Sequence, residues 1–233
     1  MMQADKANGP VLTAVDLSRV FGSGDTAVTA LSGISLTVQQ GDFLAVTGRS
    51  GSGKTTLLNL LSGLDSPTTG TVHFHGDDLE NLRESDLVEM RRHKIGFVFQ
   101  SFGLMPLLSA QENVELPLHI GGASWRERRQ KATEALRAVG LGTRARHRPF
   151  ELSGGEQQRV SIARALVTEP EVVFADEPTG ELDTATARSI AETLGEVAAS
   201  RRATVIVATH DLDLAATAQR RLDLIDGMIV SQG

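Results

Sequence analysis

Gly48-Arg49-Ser50-Gly51-Ser52-Gly53-Lys54-Thr55 stands between a short apolar run, Asp42–Thr47, and a helical pattern, Lys54–Ser62, closed by Gly63. The eight residues fit G-x-x-x-x-G-K-[ST], the pattern of a phosphate-binding P-loop, in the strand–loop–helix context that pattern requires. The chemistry explains the residue types. Glycines let the backbone curl until several N–H groups point at one phosphate, and the start of a helix adds partial positive charge. Lys54 reaches the β- and γ-phosphates as a point charge, and the Thr55 hydroxyl can ligate Mg²⁺. Gly48, Ser50, Gly51, Gly53, Lys54, Thr55 and Thr56 are therefore the candidate nucleotide contacts.

Outward from this loop the chain alternates strands and helices. Val11–Leu17 and Ser35–Val38 alternate apolar and polar residues as strands do, and Ile95–Phe99, Val172–Ala175 and Thr204–Thr209 are short apolar runs suited to buried strands. Helices are expected over roughly 105–150, from Ser153-Gly154-Gly155 to about Thr168, and over Thr184–Ala199. This alternation indicates an α/β fold with a largely parallel sheet, into which the helical middle is inserted. Residues 1–10 read as a loose tail.

The strand Val172–Ala175 runs into Asp176-Glu177 and delivers two carboxylates to the sheet edge. Asp176 is the candidate for holding Mg²⁺, and Glu177 for polarising an attacking water as general base.

Upstream stands Leu152-Ser153-Gly154-Gly155-Glu156-Gln157-Gln158-Arg159. Ser153 is a natural N-cap, and the two glycines leave a bare helix start that can approach an anion. The run resembles the signature motif of ATP-binding-cassette proteins. The resemblance covers residues from about 11 to 230. It implies a P-loop NTPase (RecA-like) core over 11–98 and 160–233, an antiparallel β portion near the N-terminus, and a helical subdomain over 99–159 that carries the signature. It also implies ATP and Mg²⁺ as ligands, and a head-to-tail homodimer in which Ser153, Gly154 and Gly155 face the γ-phosphate held by the other subunit. Gln100 matches the glutamine-loop residue, which touches Mg²⁺ or the attacking water. His210 matches the switch histidine that contacts the γ-phosphate. Asp183, in Gly180-Glu181-Leu182-Asp183, falls on the dimer-contact loop, although Glu181 replaces the commoner small or amide residue. The family stacks an aromatic residue, often tyrosine, on adenine. This chain has no tyrosine, and Phe21 is the candidate, with a core phenylalanine as the alternative.

The stretches Ile95–Leu118, Leu57–Asp65 and Pro67–Gly70 are similar to the branch that serves lipoprotein release, macrolide export and cell-division permeases. That likeness implies a separate integral-membrane permease and a peripheral position on the cytoplasmic face of the inner membrane. Phe102, Leu104, Met105, Leu107 and Leu108 either form part of a groove for a permease helix or pack the helical subdomain. Two other functions stand beside transport: regulation of a cell-wall hydrolase during division, and a soluble cassette acting on ribosomes or DNA. The second usually needs two cassettes or a long coiled coil, and no sustained heptads lie between Lys54 and Ser153.

Composition agrees with these expectations. The 233 residues are 40% hydrophobic and 22% charged, with a formal net charge of −6, which does not favour a nucleic-acid partner. Residues 126–148 are locally basic, as a solvated helical face or as a surface for an acidic partner or lipid headgroups. There is no cysteine, so thiolate metal sites and thiol nucleophiles are excluded. No apolar run approaches the roughly 18 residues of a membrane span, and the N-terminal stretch does not read as a secretory signal.

Overall fold

The computed structural model describes residues 9–200 and 203–233; the expected tail lies, in its first eight residues, outside them. A six-stranded sheet has the order β10–β9–β3–β8–β7–β6. Its strands are β3 (Phe43–Thr47), β6 (Ile95–Val98), β7 (Val172–Asp176), β8 (Thr204–Thr209), β9 (Arg220–Ile225) and β10 (Met228–Gln232). All neighbouring pairs are parallel except β10 with β9. Every residue of β3 and β8 is buried, as expected of strands covered on both faces. A second, antiparallel sheet has the order β2–β1–β4–β5, from β1 (Leu12–Phe21), β2 (Val28–Val38), β4 (Thr69–Phe74) and the two-residue β5 (Asp77–Asp78).

Helix α1 (Lys54–Leu61) lies between the sheets. It buries Leu57, Leu58, Leu60 and Leu61 in one apolar cluster with Leu12, Leu17 and Leu31 of the second sheet and Val46, Phe174 and Ile206 of the first. On the other face of the large sheet, α6 (Thr184–Ala199) and α7 (Leu212–Thr217) cover Phe43, Val173 and Val205. A third cluster joins α3 (Ala110–Ile120), α4 (Trp125–Ala138) and α5 (Gly154–Leu166). Helix α5 belongs to two clusters: Val160 and Ala163 face α3 and α4, while Ile162 and Ala165 pack on the large sheet.

Several elements differ from the sequence expectation. Strand β2 begins at Val28, seven residues before Ser35, because its register with β1 shifts three times and breaks the simple alternation. Between 139 and 153 the chain makes short 3-10 turns, so only part of the expected helical middle is helix. Helix α2 (Glu84–Lys94) was not foreseen because it buries only Met90 and has no apolar stripe. Its acidic start at Glu84 and Asp86 and basic end at Arg91–Lys94 suit the helix dipole.

Phe174, on β7, is 1% exposed and stacked on Phe97 of β6 with ring centroids 5.8 Å apart. Phe174→Ala is expected to lower unfolding stability by about 3–5 kcal/mol, read as a lower urea midpoint.

Candidate functional site

The C-terminal ends of β3, β6, β7 and β8 reach one edge of the parallel sheet, and each is followed by a candidate residue. The loop after β3 curls with Gly51 at φ 81° and Gly53 at φ 102°, in the left-handed region. A side chain at Gly53 would place Cβ 2.6 Å from the Ala30 carbonyl oxygen, so only glycine lets β2 come this close. Gly53 is also the N-cap of α1 and has no side chain with which to satisfy the first helical N–H groups, which suits an anion there.

Lys54 is 6% exposed. Its Nζ donates to the carbonyl oxygens of Gly48 (2.9 Å) and Arg49 (3.2 Å) and lies 3.3 Å from Glu177 Oε1. The Thr55 hydroxyl donates to both Asp176 oxygens, at 3.1 and 2.9 Å. Burial pushes the Asp176 carboxyl above the usual carboxylate range, and the neighbouring Glu177 charge adds to this. The bond from Thr55 and the Lys54 ammonium oppose it.

Glu177 takes φ 45° just past the end of β7, and its N–H donates to the Ala208 carbonyl at 2.8 Å. Its Oε2 accepts from the His210 backbone N–H at 3.2 Å and lies 2.8 Å from His210 Nδ1. With the carboxylate as acceptor, that ring nitrogen carries the proton. Asp211 caps α7 and accepts from the Thr179 hydroxyl at 3.2 Å, which fixes the loop on the other side of His210.

Lys54, Thr55, Glu177 and His210 open onto a cleft of about 650 Å³, which Gly48 and Asp176 do not line. Its lining brings together Ser50, Gly51, Gly53, Lys54, Thr55 and Thr56 with Gln100, Glu177 and His210. The opposite wall is Val28, Thr29 and Ala30 of β2, which the sequence reading did not select. Phe21 pairs with Val28 across the β1–β2 ladder and does not itself line the cleft. It is 43% exposed, which rules out the core alternative, and the Arg19 guanidinium lies 4.6 Å from its ring centroid.

The signature residues lie elsewhere. Ser153 caps α5 in a reciprocal capping box: its hydroxyl accepts from Glu156 N–H at 3.3 Å, and Glu156 Oε2 accepts from Ser153 N–H at 2.9 Å. None of Ser153, Gly154 or Gly155 lines the cleft. Asp183 caps α6, accepting from Ala185 and Thr186 N–H, both at 3.1 Å. The hydrogen bond from the Thr186 hydroxyl holds its carboxyl below the usual range.

A second residue missed as a site candidate is Gln158, fully buried in α5. Its amide nitrogen donates to the Phe99 carbonyl at 3.4 Å and to the Pro178 carbonyl at 2.6 Å. It thus touches the residue before Gln100 and the residue after Glu177. The largely apolar surface groove, about 440 Å³, runs between α2, β6, α3 and α5 and includes Val88, Phe97, Phe99, Pro117 and Ile120. Phe102, Leu104, Met105, Leu107 and Leu108 do not line it. Leu104 packs on the helical cluster, and Leu107 is 80% exposed.

A phosphate loop and an acid pair sharing one edge of a parallel sheet place the chain among the P-loop nucleoside triphosphatases. Residues 31–180 match the family described as ABC transporter. The ATP-binding protein LolD of the lipoprotein-releasing system of Geobacter metallireducens is 47% identical over 95% of this chain and 98% of its own length. The macrolide export ATP-binding/permease protein MacB of Hyphomonas neptunium is also 47% identical over 95% of this chain, which spans only 34% of that relative. A dimeric structure of the ATP-binding cassette MJ0796, in a post-hydrolysis state bound to ADP and Pi, superposes with a TM-score of 0.88. It is 40% identical over 95% of this chain and 97% of its own. The chain belongs to the ABC transporter family, whose ATPase cassette it forms. Among the described residues no helix is long and apolar enough to cross a membrane.

Lys54→Ala removes the charge that the loop carbonyls hold over the cleft. The dissociation constant for a fluorescent ATP analogue should rise about tenfold or more, checked by titration of the folded variant.

Proposed function

We propose that this chain hydrolyses ATP with Mg²⁺ as one half of a head-to-tail homodimer, and that the pair drives a separate integral-membrane permease. One observation carries the dimer: α1 opens its uncapped start into the nucleotide cleft, while Ser153, Gly154 and Gly155 at the start of α5 do not line that cleft. A second copy, turned end to end, supplies its Ser153, Gly154 and Gly155 to the open side of this cleft, with Asp183 at the contact. The dimeric MJ0796 cassette, bound to ADP and Pi, supports a dimer.

The donor set beside the phosphate loop suits Mg²⁺. The Thr55 hydroxyl and Asp176 carboxylate are hard oxygen donors already in contact, and no thiolate or imidazole competes among them. Thr55 and Asp176 would hold the ion, with Gln100 completing the set on the side of β6. When bound, Mg²⁺ neutralises charge on the phosphate oxygens. Lys54 and the loop N–H groups hold the β- and γ-phosphates. Glu177 orients the attacking water and takes its proton. His210, anchored through Nδ1 on Glu177, presents its other ring nitrogen toward the terminal phosphate. Phe21, at the edge of the β2 wall, offers its face to the adenine.

The likeness to LolD and MacB over 95% of the chain supports a permease of the lipoprotein-release or macrolide-export kind. On this reading the cassette lies on the cytoplasmic face of the inner membrane, held there by the permease. The groove between α2, β6, α3 and α5 is where a cytoplasmic helix of that permease would dock.

Glu177→Gln keeps the shape of the site and removes the base. Turnover should fall by at least about a hundredfold with nucleotide binding retained, measured by phosphate release and by analogue titration. The tagged variant, recovered from detergent-solubilised membranes with MgATP, should bring a permease with it; recovery with ribosomes or nucleic acid instead would refute the transport reading. Ser153→Arg should leave nucleotide binding to the monomer unchanged and abolish the ATP-dependent dimer of Glu177→Gln, followed by size-exclusion chromatography.

A further inference from the structure

The turn between β9 and β10 is two residues, Asp226-Gly227, at φ 47° and 76°, the backbone of a tight hairpin turn. Hairpin tips usually face solvent, and Asp226 does; Gly227 is buried. Its N–H donates to the Ser52 carbonyl at 3.1 Å, and its own carbonyl accepts from Ser32 N–H at 2.9 Å. A side chain at Gly227 would put Cβ 2.6 Å from the Ala30 carbonyl oxygen and 3.0 Å from Leu31 Cα. The turn therefore sits backbone to backbone between the phosphate loop and the strand that forms the opposite wall of the cleft.

The bond to Ser52 has a directional consequence. The Ser52 carbonyl and the Gly53 N–H belong to one trans peptide, a planar unit in which C=O and N–H point opposite ways. Ser52 turns its carbonyl toward the hairpin, so the Gly53 N–H is turned the other way. Gly53 lines the cleft. Ser52 stands between Gly51 and Gly53, both at positive φ, and an unanchored peptide there could flip and offer a carbonyl to the phosphate instead.

We infer that Gly227 is a positioning residue for nucleotide binding: its N–H anchors the Ser52–Gly53 peptide so that the Gly53 N–H is presented to the phosphates. The inference rests on the reading of the phosphate loop as the nucleotide site. It assigns to the hairpin after β9 a part in that site which no side chain reveals, since every group involved is backbone.

The test compares Gly227→Ala with Asp226→Gly. A methyl at 227 must push the hairpin off Ala30 and lengthen the bond to Ser52. The KM for ATP should rise about tenfold while kcat at saturation stays within about twofold. Asp226→Gly keeps the turn and its hydrogen bonds, and KM should not change. A folded Gly227→Ala with wild-type KM, or one with kcat reduced and KM intact, overturns the assignment. If Gly227→Ala does not fold, exchange of the Gly227 amide in the wild type decides. Slowing by about a hundredfold against unstructured chain supports the anchor, and exchange at the rate of an open turn overturns it. Lys54→Ala measured in parallel separates the two levels. If nucleotide affinity survives that substitution, the loop reading itself fails. If affinity is lost there but kept in folded Gly227→Ala, only the present inference fails.

Discussion

Parallel strands share a direction, so their C-terminal ends must emerge on one edge of the sheet, and in this chain that edge is where the chemistry collects. Strand β3 hands over the phosphate loop, β6 leads to Gln100, β7 delivers Asp176 and Glu177, and β8 leads to His210. The groups come from positions as far apart as 48 and 210, yet the register of β3, β8, β7 and β6 brings them level. Full burial of β3 and β8 ties that register to the packing on both faces, because a slip would carry every side chain to the opposite layer. The short polar contacts, Lys54 to Glu177 and Thr55 to Asp176, follow from this alignment.

The same geometry leaves the site incomplete. The cleft has a floor of loop residues and Glu177 and one wall of β2, and Ser153, Gly154 and Gly155 do not line it. The start of α5 faces elsewhere, with Gly154 resting near Leu182 and Phe102. In the proposed dimer the start of α5 would reach a phosphate only through a second copy, so hydrolysis and assembly would be coupled, and whatever moves α5 would govern turnover.

What could be read from the sequence was local. The phosphate loop, the acid pair and the signature each need only a few adjacent residues, and Thr184–Ala199 is helical over the span its pattern gives. What escaped depends on distant partners. The Val28–Ala30 wall is part of the site because β2 lies against the loop, and its bulged register hid the strand. Helix α2 has charges on every side and one buried methionine, so no periodicity marks it. The last hairpin was legible in principle: Asp226-Gly227 between apolar residues is a strong turn signal, and it was passed over. Gln158 stood in plain view within the signature, but nothing in its neighbours says that it is fully buried between two loops.

That glutamine makes the cassette a lever with a short arm. One amide nitrogen grips the carbonyls of Phe99 and Pro178 from the side of α5. Gln100 is one covalent step from the first grip, and Glu177 one step from the second. Any tilt of the helical part that carries α5 along must therefore drag these segments or break the bonds that hold them. A push on the groove walls formed by α3 and β6 would reach the Glu177 carboxylate through a linkage only a few bonds long, with no need for a diffuse change across the sheet.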